Sequence, residues 1–228
     1  MSSQETASAV SQPILSQTLA WVVTLLVPGA LVLTAVRLML TPAFLHLEYN
    51  MPGFPADRFG FTKEDRLYWS QIALDYLVNS EGISFLGDLR FEDGNSVYNE
   101  RELRHMVDVK VTVQRALLVW YASLGLLFGL GIWAWRGGWL RCYLHGLGRG
   151  GWLTVIFLGV TIVFVLVAFG VFFVAFHNVF FEPGTWMFLY SDTLIRLFPE
   201  RFWRDIFIYV GLLAGGGGLA LALAFRKK

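Results

Sequence analysis

Two histidines are the residues best placed to move protons near neutral pH. His105 lies in the charged run "YNERELRHMVDVK", just before an apolar stretch that begins at Val113. His177 lies in "AFHNVFFEPGTW", directly after another apolar stretch. Both therefore stand where polar chain meets apolar chain. Glu102 and Asp108 flank His105 at i−3 and i+3, on one face of a helix. A carboxylate at that spacing can orient an imidazole and stabilise its cation. The chemistry this pattern suits is general acid–base catalysis at a membrane–water boundary, worth about 10²–10⁴-fold in rate. The plainer reading is a pair of interfacial histidines with local hydrogen bonds. Their matched depth and the carboxylate spacing favour chemistry.

A metal site is the rival reading. His105, Asp108, His177 and Glu182 include the donors of a two-histidine carboxylate set. No HExxH and no paired Cys/His spacing supports it, so no metal is expected. His46 and His145 read as structural. Cys142, the only cysteine, excludes an intramolecular disulfide and sits among Arg136, Arg141 and Arg149, as suits a reducing compartment. Neither a Gly-rich phosphate loop nor a serine nucleophile elbow is present. Any reaction at the histidines must then run downhill, with no cofactor. Nucleic acid is not among the expected partners.

The elements that hold these residues are membrane helices. Of 228 residues 56% are hydrophobic and only 15% charged, against about 25% charged in soluble domains. Four apolar runs reach the roughly 20 residues that a bilayer crossing takes, at 17–40, 113–135, 152–176 and 205–225. Their interiors are nearly free of charge, as the insertion cost of about 2.5–3.5 kcal/mol per central Asp, Lys or Arg requires. Arg37 and Arg115 lie near span ends and can snorkel. Pro28-Gly29 predicts a kink in the first span. The connection 136–151 carries three arginines and no acid, and the chain ends "FRKK". The positive-inside rule puts both in the cytoplasm. Segments 41–112, with 12 acids against 7 bases, and 177–204 are then extracytoplasmic. Residues 1–16 read as a disordered cytoplasmic tail and 226–228 as a cytoplasmic end. The expected fold is an all-α polytopic membrane protein, four transmembrane helices under an extracytoplasmic cap that is helical with one small β-hairpin.

Within the cap, "TKEDRLYWSQIALDYLVNS" opens on Thr62 as N-cap and repeats Leu67, Leu74 and Val78 at helical spacing. "ISFLGDLRFEDGNSVY" alternates around Asp93-Gly94, which predicts the hairpin. Asn99 with Glu102 at N3 predicts a capping box for a helix that runs unbroken into the second span. Gly211 and Gly215, like Gly125 and Gly129, have the small-xxx-small spacing of close helix packing. Aromatic side chains crowd the histidine side: Trp69, Tyr98, Phe176, Phe180, Phe181 and Trp186 among them. They read as an interfacial belt or, more sharply, as the wall of an acyl-chain pocket.

"YNERELRHMVDVK" before one span and "FHNVFFEPGTWMFLYSDTLIRLFPERFW" after another resemble the bacterial lipoprotein intramolecular transacylase (Lit) family. The likeness covers the four-span layout, the long first outer loop and both motifs. It implies two catalytic histidines, here His105 and His177, where cap meets membrane. It also implies a reaction in a bacterial cell membrane: the sn-2 acyl chain of a diacylglyceryl-modified N-terminal cysteine moves to that cysteine's α-amino group. Diacylglyceryl-modified lipoproteins and membrane lipid are the implied partners. On this reading Asp108 orients His105, with Glu102, Tyr98 and Asn99 in support. Asn178 or a backbone N–H helps His177 as acid or oxyanion donor, and the two histidines' roles are interchangeable. The alternatives are a non-catalytic envelope protein that binds lipoproteins and a metal-dependent lipid hydrolase.

Overall fold

In the computed structural model, residues 3–226 are described, and of residues 3–13 the backbone alone. Eight helices follow in order among them: α1 Ser3–Met39, α2 Pro42–Tyr49, α3 Lys63–Val78, α4 Ser84–Gly87, α5 Glu100–Arg136, α6 Leu140–Phe180, α7 Thr193–Leu197 and α8 Glu200–Ala224. Four of them contain stretches long and apolar enough to cross a membrane: Ile14–Met39, Glu100–Arg136, Leu140–Phe180 and Glu200–Ala224. The chain is a multi-pass membrane protein. The expected disordered tail, 1–16, falls largely outside the described side chains; the backbone from Ser3 belongs to α1.

The helical ribbon of α1 passes through Pro28-Gly29 unbroken. The departure from helical geometry lies instead in α6, at Ala168 (φ −142°, ψ 51°), where no proline announces it. The expected hairpin contracts to one antiparallel bridge, Arg90 to Ser96, around a turn in which Gly94 has φ +84°. Asp93 explains the contraction. Its carboxylate accepts from the Asn95 backbone N–H (2.9 Å) and side chain (2.8 Å), closing the turn locally.

The chain divides into two compact units. The first comprises Met1–Ala35, Leu118–Ile162 and Val210–Lys228. Its helices approach through glycines, but not those marked by spacing in the second and fourth spans. A Cβ added at Gly125, Gly129 or Gly215 would meet nothing within 4 Å, and at Gly211 only the Ile162 side chain. The close contacts belong to α6. A Cβ on Gly146 would lie 2.6 Å from the Ala20 carbonyl oxygen, and one on Gly150 2.6 Å from Val27 Cβ, both in α1. On the other side of α6, a Cβ on Gly148 would lie 2.8 Å from the Phe225 carbonyl, and one on Gly151 would run into the Gly218 carbonyl of α8. Small residues let backbones meet in lipid, where apolar burial drives nothing. Thr24 Oγ1 crosses to the Gly146 carbonyl (3.2 Å), and Trp120 Nε1 donates to Thr34 Oγ1 (2.9 Å).

The second unit comprises Val36–Leu117 and Val163–Tyr209. Thr41 caps α2, with Pro42 at its first position. Thr62 and Asp65 form a capping box on α3. Tyr76, Leu86, Val97, Tyr98, Met106, Leu194 and Leu197 form one buried cluster. Arg196 clamps Asp57 at 3.0 Å and lies 3.4 Å over the Phe61 ring. Lys110 of α5 donates to the Glu81 carbonyl (2.6 Å) and to Asn79 Oδ1 (2.9 Å), which ties α5 to the end of α3. Glu48 is fully buried, and neither carboxyl oxygen has a hydrogen-bond partner. Burial first, then the charge of Asp205, pushes its carboxyl up to about 7.

Candidate functional site

The N-terminus of α5 fixes the position of His105. Asn99 Oδ1 accepts from the N–H groups of Arg101 (3.0 Å) and Glu102 (3.1 Å). Glu102 Oε2 accepts in return from the Asn99 N–H at 2.8 Å, which is the expected box. The second oxygen does something the spacing did not announce. Glu102 Oε1 accepts from the Leu194 N–H at 2.7 Å, joining the first turn of α5 to α7. Asn99 Nδ2 also reaches Asp192 (3.1 Å), and Thr193 Oγ1 donates to the Val97 carbonyl. Glu102 and Asn99 thus build the frame that holds α5; Glu102 spends its carboxylate on backbone N–H groups rather than on His105.

His105 of α5 and His177 of α6 converge. Their rings lie 6.4 Å apart, centroid to centroid, and within 25° of parallel. Both are buried, His105 at 9% exposure and His177 at 7%. His177 Nδ1 lies 2.8 Å from the Phe173 carbonyl one turn earlier. A carbonyl oxygen only accepts, so Nδ1 carries the hydrogen and Nε2 of the neutral ring is the basic nitrogen. His105 Nδ1 is buried with no partner.

The walls are aromatic. His177 packs on Phe173 (4.0 Å), Trp186 (4.6 Å), Phe176 (5.6 Å) and Phe181 (5.7 Å). His105 packs on Phe181 (5.0 Å) and Phe188 (5.4 Å). Trp186 Nε1 is buried and unpartnered beside them. Phe180 sits one step out, 4.9 Å from Phe176.

Several expected residues stand elsewhere. Asp108 is exposed and makes no hydrogen bond to His105; at i+3 its side chain follows the α5 surface outward. Asn178 is exposed, because the helical turn that buries His177 rotates its neighbour away. Trp69 packs against Phe91 (5.6 Å) and Tyr68 (4.8 Å), around the buried cluster of the cap unit. Tyr98 belongs to that cluster, and burial drives its phenol far above the usual range. Phe173 was not singled out in the sequence. Its spacing of four residues from His177 is the signal that marks it. Among the described residues no three metal-ligating side chains gather closely enough to share an ion, and Glu182, like Asp108, is exposed.

The site is therefore a base of fixed tautomer beside a second imidazole, inside an aromatic wall, and among the described residues no serine, cysteine or carboxylate hydrogen-bonds to either ring. Such a pair can shuttle protons for a nucleophile that the substrate itself brings.

Comparison with known proteins bears on which substrate. A family model described as lipoprotein intramolecular transacylase Lit matches residues 20–203. An uncharacterized protein of Aquifex aeolicus (strain VF5) is 31% identical over 185 residues, 78% of this chain and 79% of that one. The in meso structure of the membrane integral lipoprotein intramolecular transacylase Lit from Bacillus cereus aligns with a TM-score of 0.79 at 21% identity, over 94% of this chain and 95% of that chain. A variant of that protein with one histidine replaced by alanine aligns with a TM-score of 0.74 at 21% identity, over 96% of each. At that identity the solved structures speak for the four-helix fold. The family-model match across most of the chain makes this protein a member of the lipoprotein intramolecular transacylase Lit family.

Proposed function

We propose that this chain is an intramolecular acyltransferase that converts a diacylglyceryl lipoprotein to its lyso form by moving the sn-2 acyl chain to the α-amino group of the N-terminal cysteine. The observation that carries the reading is His177, held by the Phe173 carbonyl with its basic nitrogen free and stacked beside His105. The substrate supplies nucleophile and ester in one molecule, which is why the site lacks a nucleophile of its own.

An α-ammonium has an ordinary pKa of about 7.7–8.0 and a solvent-exposed imidazole about 6.5, so even between such unperturbed groups the transfer costs roughly 1.8 kcal/mol. His177 Nε2 takes that proton and returns it to water. The neutral amine attacks the ester carbonyl. As the amide C–N bond forms and the ester C–O bond breaks, the second amine proton passes to the glyceryl oxygen, with His105 as the relay. No electron changes hands, and ester to amide runs downhill without nucleotide. The aromatic wall packs the acyl chain and holds amine against carbonyl; alignment of that kind is worth up to about 7–11 kcal/mol.

Basic residues gather at the α5–α6 connection and the chain end, and acids predominate over 41–112. These favour both termini in the cytoplasm and the histidines at the outer face. The test is the mass spectrum of N-terminal lipopeptides from cells that make diacylglyceryl lipoproteins, with and without this protein. Lyso-form should appear with the wild type and vanish with His105→Ala or His177→Ala. Lyso-form at wild-type level from either variant overturns the assigned roles, and none from the wild type overturns the activity.

A further inference from the structure

A cavity of about 540 Å³ lies in the first unit. Its lining combines Arg149, Arg226 and His145 with Trp21, Trp152 and Phe225. None of the described residues lining it is acidic. Among the described residues no carboxylate pairs with either arginine.

The sequence "HGLGRGGW" builds this place. Gly146 and Gly150 seat α6 against Ala20, Thr24 and Val27 of α1, while Gly148 and Gly151 seat it against the end of α8. Arg149 stands between these glycines, so close packing on both sides leaves it at a cavity shared with Trp21 of α1 and the residues that follow α8. Its guanidinium lies 4.1 Å over the Trp21 ring, which holds the fork of N–H donors in place at little cost in hydration. Arg226 lines the same cavity from just beyond the end of α8.

Two guanidinium groups without a carboxylate partner, one of them over the Trp21 ring, next to the ends of the apolar runs 152–176 and 205–225, match a phosphodiester with a glycerol and acyl chains below it. Arginine meets phosphate oxygens by paired N–H donors. Tryptophans occupy the glycerol level of a bilayer. Basic pockets between transmembrane helices are a recurrent way of holding anionic lipid headgroups. We propose that this cavity binds the headgroup of an anionic phospholipid, at a site separate from the histidine pair and independent of the transacylase reading.

The full chain, purified and exchanged into detergent with phosphatidylglycerol, phosphatidylcholine or inorganic phosphate, tests this by native mass spectrometry. The chain should retain phosphatidylglycerol in preference to phosphatidylcholine. Arg149→Gln and Arg226→Gln should each weaken retention about five-fold, and the double variant about twenty-five-fold, since one basic contact near a lipid surface is worth about that factor. Arg136→Gln, an exposed basic residue outside the cavity, should change it less than two-fold. Millimolar phosphate should not displace the lipid. Equal retention of both lipids, unchanged binding by the cavity variants, an equal loss in Arg136→Gln, or displacement by phosphate would each overturn the proposal. Should Arg149→Gln fail to fold, exposed Arg226 alone carries the same comparison.

Discussion

Replacing Glu102 by alanine separates a framing residue from a proton partner. In the wild type its two oxygens accept from the Leu194 N–H at 2.7 Å and the Asn99 N–H at 2.8 Å, and the residue is 1% exposed. Alanine leaves both donors without an acceptor. A buried N–H stripped of its partner costs about 1–3 kcal/mol. The Leu194 group is buried and takes the upper part of that range; the Asn99 group is only partly buried and takes the lower part. The sum is about 3–4 kcal/mol. For a chain of this size about 2–4 °C is lost per kcal/mol, so Tm should fall by about 6–16 °C. Glu102→Gln keeps one carbonyl oxygen for one of the two donors and should lose about half as much. The assay is thermal unfolding of the purified protein in one detergent, with lyso-form production measured well below Tm. Glu102→Gln should retain at least a quarter of wild-type activity there. A Tm shift under about 2 °C for alanine would refute the hydrogen-bond account. Abolished activity with unchanged Tm in Glu102→Gln would show that the carboxylate serves His105 after all.

Other outcomes follow from the same geometry. Asp108→Asn should leave lyso-form production within about three-fold of wild type, because the exposed carboxylate makes no hydrogen bond to His105; a hundred-fold loss would restore it to the site. Gly151→Ala, whose Cβ would collide with the Gly218 backbone, should cost about 1–3 kcal/mol or more in unfolding measurements. Gly125→Ala, facing open space, should be neutral or stabilising by up to about 1 kcal/mol; equal losses in the two variants would refute the assignment of the close interface to α6. Glu48 has a folded pKa of about 7, above its ordinary 4.5, so it takes up a proton on folding. Its stabilising share is complete below about pH 4.5 and is lost as pH rises through 7. Tm should therefore fall between pH 5.5 and 8, by an amount worth about 1–2 kcal/mol after solvent screening, and Glu48→Gln should flatten that slope. A variant whose slope matches the wild type would place the titration elsewhere.

The division between what the chain's order reveals and what its folding reveals runs along the range of the forces involved. Apolar runs, caps and charge asymmetry act within one helix or across one connection. The four spans, the N-cap at Thr62 and the capping box at Asn99 could thus be read from residue order. Even the pairing of the histidines was legible, as two titratable rings at one depth. Their 6.4 Å stacking was not, because it depends on how α5 is pinned by Leu194 and on how the end of α6 turns past Ala168. The tautomer of His177 follows from a backbone carbonyl, which carries no sequence signal of its own. Spacing alone gave Glu102 and Asp108 equal claims on His105. Folding spent the first on two N–H groups and turned the second to the outside. The glycine interface moved from the motifs in the second and fourth spans to α6 for the same reason. A small residue matters only where another backbone arrives to meet it, and that arrival is decided by the tertiary structure.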